Sequence, residues 1–239
     1  MKIAIVIPTY NESENVRKLI DGIFKIDKRI NMVFVDDNSP DGTGEILDRI
    51  SIKNREIHVI HRKGKLGIGS AHIAGFKYSV KNLNADLIFS MDADLSHNPK
   101  YIPDFIKKIE KGYDVVVGSR YVPGGGVNWE LHRRIMSRGA NLISKIFLGL
   151  KINDITTGYR CYRIKVLEKL NLDGIKSNGF SFLEEMLYLC KINGFKIGET
   201  PIFFVERQKG KSKLNYKEVI KFFLTIFRLR FGAGRKQGE

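Results

Sequence analysis

Residues 3–12 read IAIVIPTYNE, an unbroken apolar run that ends in a proline and is followed at once by polar residues. An apolar run without alternation is typical of a parallel β-strand that is buried on both faces. The next apolar residues, between Glu12 and Ile26, recur at the spacing of a helix. The stretch therefore predicts a strand at residues 3–7 followed by a helix, which is the repeating unit of a parallel sheet.

The same pattern recurs along the first half of the chain. Further strands are predicted at residues 32–35, 57–60, 86–91 and 114–117, and helices are predicted to follow Asp41, Gly69 and Asn98. Alternating strands and helices predict an α/β fold in which helices flank a mainly parallel central sheet. Ligands of such sheets bind beyond the carboxyl ends of the strands, so we expect the chemistry in the loops that follow them.

The second half of the chain is less regular. Its pattern predicts a mobile glycine loop at residues 124–126, a basic amphipathic stretch at 131–150, a buried helix at 180–190, a short strand at 201–205 and a helix at 217–230. No linker that would separate two domains is visible. We therefore expect one domain over residues 1–215, followed by an amphipathic basic helix and tail over residues 216–239.

Composition limits the class of partner. The 239 residues are 43% hydrophobic and 28% charged, which is typical of a globular chain and not of a disordered one. Lys and Arg number 41 against 26 Asp and Glu, a formal net charge of +15. Such a surface is expected to meet an anion: nucleic acid, a phosphorylated substrate or an acidic membrane face. Two cysteines cannot form a disulfide framework, and no apolar run approaches the roughly 18 residues of a membrane span.

Two aspartates directly follow the predicted strand at residues 86–91. Asp92 and Asp94 are two positions apart, so on an extended chain their side chains point the same way. Two carboxylates this close repel each other unless a cation neutralises them. Oxygen ligands suit Mg²⁺ or Mn²⁺, which commonly bridges the phosphates of a nucleotide. A solvated loop is the alternative interpretation, and the position after a strand argues against it.

Several other polar residues are open to two interpretations. Asp37 follows the second strand, where it can accept from a ribose or a base or can help to cap the next helix. Tyr10 and Glu12 follow the first strand, where they can contact a base or begin a helix. The glycine-rich turn at residues 64–70 lacks the dinucleotide and Walker patterns. His97 is interpreted as marking the start of a helix, and no histidine pair has the spacing of a zinc site.

The motifs together resemble those of the family 2 glycosyltransferases, which have the GT-A fold. Within that family the closest resemblance is to the polyprenyl-phosphate mannose synthases, which include the dolichol-phosphate enzymes. The segments that carry it are residues 6–12, 36–43, 92–97, 116–121, 137–141, 154–163, 198–202, 207 and 210–214. The early segments are shared across the family, and the later ones are more specific to the lipid-phosphate mannose synthases. The resemblance covers about residues 3 to 215.

The resemblance implies roles for individual residues. The positions that match the guanosine site of a GDP-mannose enzyme are Pro8, Tyr10, Glu12, Val35 and Asp37. Asp92 and Ala93 match contacts to the sugar nucleotide, and Asp94 matches the main ligand of a Mg²⁺ or Mn²⁺ ion, with Asp92 as a second ligand. Some members carry Gln as a further ligand two places after the second Asp. Ser96 stands there in this chain and is a shorter, weaker ligand for which water can substitute.

The basic residues complete the implied site. Arg120 matches a residue that contacts the donor and the phosphates, so the implied catalytic group is Asp92, Asp94 and Arg120. Arg207 and Lys213 match the basic pair that holds the diphosphate and, with Arg120, the phosphate of the acceptor lipid.

The resemblance implies an inverting, metal-dependent enzyme, a dolichyl-phosphate β-D-mannosyltransferase. It would move mannose from GDP-mannose to dolichyl or another polyprenyl phosphate. A phosphate acceptor is anionic at pH 7 and needs no strong general base, which agrees with the lack of a convincing catalytic histidine. One rival is a related enzyme that uses UDP-glucose or another sugar nucleotide. Another is a basic nucleic-acid-binding protein, for which the chain shows no motif and no aromatic stripe.

A lipid acceptor also accounts for the charge of the C-terminal segment. From residue 207 to the end, ten Lys and Arg stand against two Glu, a net charge of +8. We expect this segment to lie in an anionic membrane interface, unless its apolar face packs on the core. The enzyme would then be peripheral on the cytoplasmic face of a membrane, that of the endoplasmic reticulum in a eukaryote or the cell membrane in a prokaryote. Some family members have a small membrane-anchoring subunit. The predicted apolar face consists of Ile220, Phe223, Leu224 and Phe227.

Overall fold

The computed structural model describes residues 1–205 and 216–232. Its first half contains the alternating strands and helices that the sequence predicts. They are β1 (Ile3–Thr9), α1 (Val16–Phe24), β2 (Asn31–Asp36), α2 (Thr43–Ser51), β3 (Ile57–His61), α3 (Ile68–Asn82), β4 (Leu87–Ser90), α4 (Ile102–Glu110) and β5 (Val115–Ser119). The prediction for this half is confirmed, with differences at the ends of the elements.

The second half holds more secondary structure than its pattern predicts. Its elements are β6 (Gly126–Val127), α5 (Leu131–Leu148), β7 (Arg160–Arg163), α6 (Ile164–Lys169), α7 (Phe182–Ile192), β8 (Ile197–Pro201), β9 (Phe203–Phe204) and α8 (Tyr216–Gly232). The sequence pattern did not predict β6, β7 and α6, because each is six residues or shorter and none is a continuous apolar run.

Within the described residues, seven strands form one sheet in the order β3-β2-β1-β4-β7-β5-β8. Its neighbouring strands are parallel except where β7 pairs with β4 and with β5. The predicted mainly parallel sheet flanked by helices is therefore confirmed. Because β7 runs antiparallel, its first residue, Arg160, lies opposite Ser90 of β4 and Val117 of β5. The loop before β7 thus reaches the same sheet edge as the loops after β4 and β5.

Each face of this sheet carries an apolar core. Along β1, Ala4 and Val6 belong to one core cluster, and Ile5 and Ile7 belong to the other. Burial on both faces explains why β1 reads as an unbroken apolar run. Helix α3 crosses the sheet so closely at Gly75 that any side chain there would collide with Val6.

The first helix begins four residues later than predicted. The sequence predicts a helix from Glu12, and α1 begins at Val16. Asn11 has a φ of 60°, in the left-handed region that interrupts a helix. The backbone N–H of Glu12 donates to Thr43 Oγ1 at 2.9 Å. The carbonyl of Glu12 accepts from the backbone N–H of Val16 at 3.1 Å. The segment before α1 is therefore a turn that leads into the helix and is tied to the start of α2.

Two boundaries in the second half are also wrong. The predicted strand at residues 201–205 is divided between β8, which ends at Pro201, and β9. The glycine segment at residues 124–126 is not wholly a loop, since Gly126 pairs with Phe203 in the two-stranded sheet of β6 and β9. The backbone N–H of Gly126 also donates to the carbonyl of Ile202 at 3.0 Å. Neither short strand has enough residues to show an alternating pattern in the sequence.

Helix α8 packs on the domain through a different face from the apolar face that its sequence predicts. Ile226 and Leu229 are buried in the same core cluster as residues of α3 and α7. Arg228 forms an ion pair of 2.6 Å with Glu185 of α7. The described part of the C-terminal segment therefore shares the core of the preceding domain. The predicted apolar face does not pack on the core; its residues Ile220, Phe223, Leu224 and Phe227 are exposed.

Candidate active site

The turn after β4 places the two predicted metal-ligating carboxylates at the sheet edge. Asp94 is buried, and its Oδ1 accepts hydrogen bonds from the backbone N–H and the hydroxyl of Ser96, at 3.1 and 2.5 Å. Leu95 has a φ of 64°, a left-handed conformation that costs about 1–2 kcal/mol for a residue with a side chain. Hydrogen bonds that offset such strain keep the Asp94 carboxylate in one orientation.

His97 supports the same turn. It is 1% exposed, and its Nδ1 accepts a hydrogen bond from the backbone N–H of Asp92 at 3.0 Å. That bond uses the lone pair of Nδ1, so the ring carries its proton on Nε2. The 3.7 Å between Nδ1 and Asp92 Oδ2 is then too long for a hydrogen bond. The ring also stacks on Tyr159, with centroids 5.0 Å apart. His97 therefore does more than mark the start of a helix.

Arg120, after β5, is held by a buried carboxylate. Its Nε and Nη2 donate to the two oxygens of Asp154, each at 2.7 Å, and its backbone N–H donates to Asp154 Oδ2 at 2.9 Å. Burial opposes the guanidinium charge, but Asp154 outweighs it and, with smaller contributions from Tyr121 and Asp92, raises the pKa of Arg120. Asp154 therefore fixes the guanidinium of Arg120 at the sheet edge beyond β5.

The loop before β7 connects these two groups. Asn141 of α5 fixes the loop, because its Oδ1 accepts from the backbone N–H groups of Ile155 and Thr156 at 2.6 and 3.2 Å. Gly158 passes so close to Asp92 that an added Cβ would lie 3.5 Å from its Oδ1. The motifs at residues 137–141 and 154–163 therefore build one wall of the site, a role for which their sequence pattern alone gave no reason.

The loops after β2 and β3 form a neighbouring part of the same edge. Asp37 is buried, and its Oδ1 accepts from Nε of Arg62 at 2.5 Å. Its Oδ2 accepts from the backbone N–H of Leu66 at 3.2 Å. Arg62 also donates to the carbonyl of Gly67 and to the hydroxyl of Ser70. The glycine-rich turn is thus fastened to Asp37 and borders the predicted nucleoside site.

Tyr10 and Glu12 lie beyond β1 at this edge. The ammonium of Lys65, in the glycine-rich turn, lies 4.3 Å from the centroid of the Tyr10 ring. The Oε2 of Glu12 accepts from the side-chain amide of Asn15 at 2.8 Å. Tyr10 and Asp37 therefore contact neighbouring residues of one turn, Lys65 and Leu66, and their role in a nucleoside site stays a prediction.

The remaining predicted ligands are buried, partly buried or outside the described residues. Val35 and Ala93 are buried as whole residues, at 0% and 3% exposure, and their side chains belong to the core. Pro8, in β1, is partly buried. Arg207 and Lys213 lie outside the described residues. The roles of all five remain predictions.

Residues 4–171, more than half of the chain, match the sequence profile of the family described as Glycosyl transferase family 2. The chain belongs to this family. The resemblance inferred from the motifs is therefore confirmed at the level of the family.

Two curated relatives of this family 2 chain are similar over most of its length. It is 40% identical over 213 residues to the polyprenol monophosphomannose synthase of Mycolicibacterium smegmatis. This match covers 88% of this chain and 80% of the relative. It is 40% identical over 216 residues to the undecaprenyl-phosphate mannosyltransferase of Micrococcus luteus, with coverage of 90% and 88%.

Solved structures show the fold to be GT-A-like. One is the glucosyl-3-phosphoglycerate synthase of Mycobacterium tuberculosis with Mn²⁺, UDP and glucosyl-3-phosphoglycerate, at a TM-score of 0.66 and 16% identity over 96% of this chain and 80% of that one. The same enzyme with Mg²⁺ and UDP gives a TM-score of 0.68 at 16% identity, with coverage of 96% of this chain and 79% of that one. At this level of identity the likeness concerns the fold alone.

The donor set at the turn after β4 fits a hard divalent cation that is held only in part by protein. Asp92 and Asp94 offer carboxylate oxygens beside the hydroxyl of Ser96. In the part of the chain that the structure describes, no group of three or more His, Cys, Asp or Glu could hold a metal by itself. Mg²⁺ is commonly bound by one or two carboxylates together with substrate phosphates. These residues of the family 2 domain therefore suit an ion that binds together with a nucleotide.

A second polar cluster lies inside this family 2 domain. Arg160 is fully buried and donates hydrogen bonds of 2.6 to 2.9 Å to three carbonyls, two of them in the loop before β7. Burial raises the pKa of Glu184 to about 7, although a backbone hydrogen bond and the charge of Arg160 both act to lower that pKa. Burial also lowers the pKa of His72 to about 3. Through its bonds to the carbonyls of Ile155 and Thr157, Arg160 fixes the loop before β7 from the buried side.

Helices α5 and α8 together expose an apolar face. The two helices are in contact, since the rings of Phe147 and Phe227 lie 5.9 Å apart. No helix within residues 1–205 and 216–232 has both the length and the hydropathy of a membrane span. A large exposed apolar patch commonly marks an interaction surface. The residues of this α5–α8 face are Leu131, Ile135, Met136, Leu142, Ile146, Phe147, Ile220, Phe223, Leu224, Phe227 and Phe231.

Proposed function

We propose that the protein is an inverting glycosyltransferase that moves mannose from GDP-mannose to dolichyl or another polyprenyl phosphate, giving the β-linked mannosyl lipid and GDP. The observation that carries the proposal is the placement of Asp92, Asp94 and Arg120 at one sheet edge. This edge offers carboxylates for a metal and a permanent cation for phosphate. The acceptor class and the sugar are supported by 40% identity to two proteins named for mannose transfer to polyprenols.

The proposed reaction must bring two anions together. An oxygen of the acceptor phosphate attacks the anomeric carbon of mannose, the bond from that carbon to the diphosphate breaks, and GDP leaves with the electron pair. A single displacement of this kind inverts the anomeric configuration. The attacking oxygen is already ionised at pH 7, so no general base is needed. The task of the protein is to bind, align and neutralise charge.

Arg120 is suited to neutralise phosphate charge. Asp154 fixes its guanidinium, and among the described residues its Nη1 has no hydrogen-bond partner, so this nitrogen can donate to a substrate oxygen. Arg207 and Lys213 are proposed to hold the diphosphate and the lipid phosphate. A divalent ion, Mg²⁺ or Mn²⁺, held by Asp94 and Asp92, would offset the charge on the departing diphosphate. Ser96 orients Asp94 and remains a weak candidate for a further ligand.

Asp37 is the proposed acceptor for the N–H groups of the base. Its carboxylate is oriented in advance by Arg62 and Leu66. An ionised carboxylate has about four acceptor positions, so two existing bonds leave room for a base. Tyr10, Glu12, Pro8 and Val35 are proposed to complete the guanosine site.

The rival donor is UDP-glucose or another sugar nucleotide with the same acceptor class. The geometry of Asp37 is compatible with an N–H group of either guanine or uracil, so the donor has to be tested directly. Nucleic-acid binding is the rival from another class. The presence of Asp92 and Asp94 at the same sheet edge as Arg120 does not favour it, because carboxylates repel a phosphate backbone.

Transfer of radiolabelled mannose from GDP-mannose to dolichyl phosphate in detergent tests the proposal. We expect labelled lipid only when Mg²⁺ or Mn²⁺ is present, and much less label from UDP-glucose. Labelled lipid from UDP-glucose alone would contradict the donor assignment. The absence of transfer from either donor, together with no GDP binding by calorimetry, would contradict the proposed function.

We further propose that the α5–α8 face lies in the interface of an anionic membrane, with the enzyme peripheral on the cytoplasmic side. The exposed apolar residues are accompanied by exposed basic ones on the same helices, among them Arg134, Arg138, Lys145, Lys221 and Arg230. An apolar face flanked by cations is the pattern of a helix that lies in the interface plane. Such a position would bring the site to its lipid acceptor, with or without an anchoring subunit.

Sedimentation with liposomes that contain anionic lipid tests the membrane surface. We expect the double variant Ile146→Glu, Leu224→Glu to lower the partition coefficient by about tenfold or more, because two apolar contacts are replaced by charges repelled by the lipid. The matched control is Ile52→Glu, since Ile52 is equally apolar, is exposed and lies after α2. Equal retention of the double variant and the wild type at low salt would contradict the assignment.

A further inference from the structure

Three aromatic side chains connect the turn after β4 with Arg120. Phe204 lies between the other two: its ring centroid is 5.6 Å from that of His97 and 5.2 Å from that of Trp129. The rings meet at interplanar angles of 76° and 72°, the edge-to-face arrangement that aromatic pairs favour. We call His97, Phe204 and Trp129 the aromatic bridge.

Each end of the aromatic bridge contacts a predicted catalytic residue. At one end, His97 accepts the hydrogen bond from the backbone N–H of Asp92. At the other end, the guanidinium of Arg120 lies 4.9 Å from the centroid of Trp129 and 5.5 Å from that of Phe204. Within the described residues, Phe204 is the aromatic ring that contacts both His97 and Arg120.

The other anchors of the two groups belong to separate contacts. His97 stacks on Tyr159, and Arg120 is paired with Asp154. Each of these contacts fixes one group against the loop before β7. Phe204 adds a contact with both His97 and Arg120 through its own ring.

The backbone fixes the position of Phe204. Strand β9 pairs in parallel with β6, so that Phe204 lies in register with Val127, two residues before Trp129. Adjacent residues of a strand point to opposite sides, and the neighbour Phe203 is 47% exposed. The same strand therefore carries one phenylalanine in the aromatic bridge and one outside it.

We propose that Phe204 is a positioning residue that sets the distance between the carboxylate turn and Arg120. The inference rests on the proposed function, because it concerns the same site. The metal-holding carboxylates and the guanidinium must act on one diphosphate at the same time. An error of about 1 Å in such an alignment can reduce the rate about a hundredfold, so a ring that touches both sides affects kcat more than substrate binding.

The test uses Phe204→Leu and Phe204→Met, which remove the ring and retain much of its apolar volume. We expect both variants to lower kcat about tenfold while the KM for the lipid acceptor changes less than twofold. The matched control is Phe203→Leu, on the opposite side of the same strand, for which we expect wild-type kcat. Circular dichroism at the assay temperature selects the variant that is folded.

Fluorescence provides a readout that simple loss of packing would not give. Trp129 is the single tryptophan of the chain, so its emission reports on one end of the aromatic bridge. Adding GDP and Mg²⁺ is expected to change this emission in the wild type and in Phe203→Leu. In Phe204→Leu we expect the change to be lost although calorimetry still detects GDP binding.

The outcomes separate this inference from the proposed function. If the wild type transfers sugar and a folded Phe204 variant retains kcat within twofold with a normal fluorescence change, Phe204 is not a positioning residue and the proposed function stands. A wild type that neither transfers a sugar nor binds a nucleoside diphosphate overturns both proposals.

Discussion

Replacing Asp94 by Asn is expected to lower kcat/KM for mannose transfer by about a thousandfold or more, even at saturating Mn²⁺. A bound metal contributes several kcal/mol of charge stabilisation in the transition state, and each 1.36 kcal/mol corresponds to about tenfold in rate. The amide retains the shape of the carboxylate, so its hydrogen bonds with Ser96 can persist in part. The measurement is steady-state transfer, together with Mn²⁺ binding in the presence of GDP by electron paramagnetic resonance.

Two controls show whether the loss is specific to Asp94. Asp104→Asn removes one negative charge from α4, where Asp104 forms an ion pair with Lys107 at 3.3 Å, and we expect no change in activity. Ser96→Ala removes the hydroxyl that orients Asp94 but leaves its backbone donor, so we expect a loss of no more than about tenfold. Near wild-type activity of Asp94→Asn would contradict the metal assignment.

Replacing Asp154 by Ala is expected to lower the free energy of unfolding by about 3–5 kcal/mol, the cost of leaving a buried cation without its partner. Asp154 is 0% exposed and accepts three hydrogen bonds from Arg120. Because Arg120 keeps its charge at any working pH, it cannot relieve the loss by releasing a proton. Urea unfolding followed by circular dichroism measures the change.

A double variant separates the ion pair from simple loss of volume. Adding Arg120→Met to Asp154→Ala removes the uncompensated charge, so we expect the double variant to be more stable than Asp154→Ala alone. Its mannose transfer should nevertheless stay very low, because the proposed phosphate-binding cation is absent. If Asp154→Ala costs less than about 1 kcal/mol, the pair does not hold the loop as the structure indicates.

The regular part of the fold was predictable from local patterns. The run at residues 3–12 and its repetitions place strands and helices, since burial on both faces of a parallel sheet leaves an unbroken apolar run. The same logic places Asp92 and Asp94 at a strand end. The family resemblance, confirmed by the profile match over residues 4–171, added the expected roles of the remaining positions.

The contacts that organise the site were not predictable in this way. Strand β7 has the sequence RCYR, which carries no strand signal, although its antiparallel position brings the loop before it to the sheet edge. The partners of Arg120 and Asp37 lie 34 and 25 residues away along the chain. No pattern of spacing identifies a pair at such a separation.

The sequence by itself determined that this chain forms a mainly parallel α/β sheet and that its polar residues gather where the strands end. Both follow from local periodicity, because side-chain direction repeats every two residues in a strand and every 3.6 in a helix. Only the tertiary structure decided which groups meet there. His97 meets Asp92, Arg120 meets Asp154, and Phe204 lies between His97 and Arg120. Those meetings depend on the insertion of β7 and on the pairing of β6 with β9, which are set by packing between segments distant along the chain.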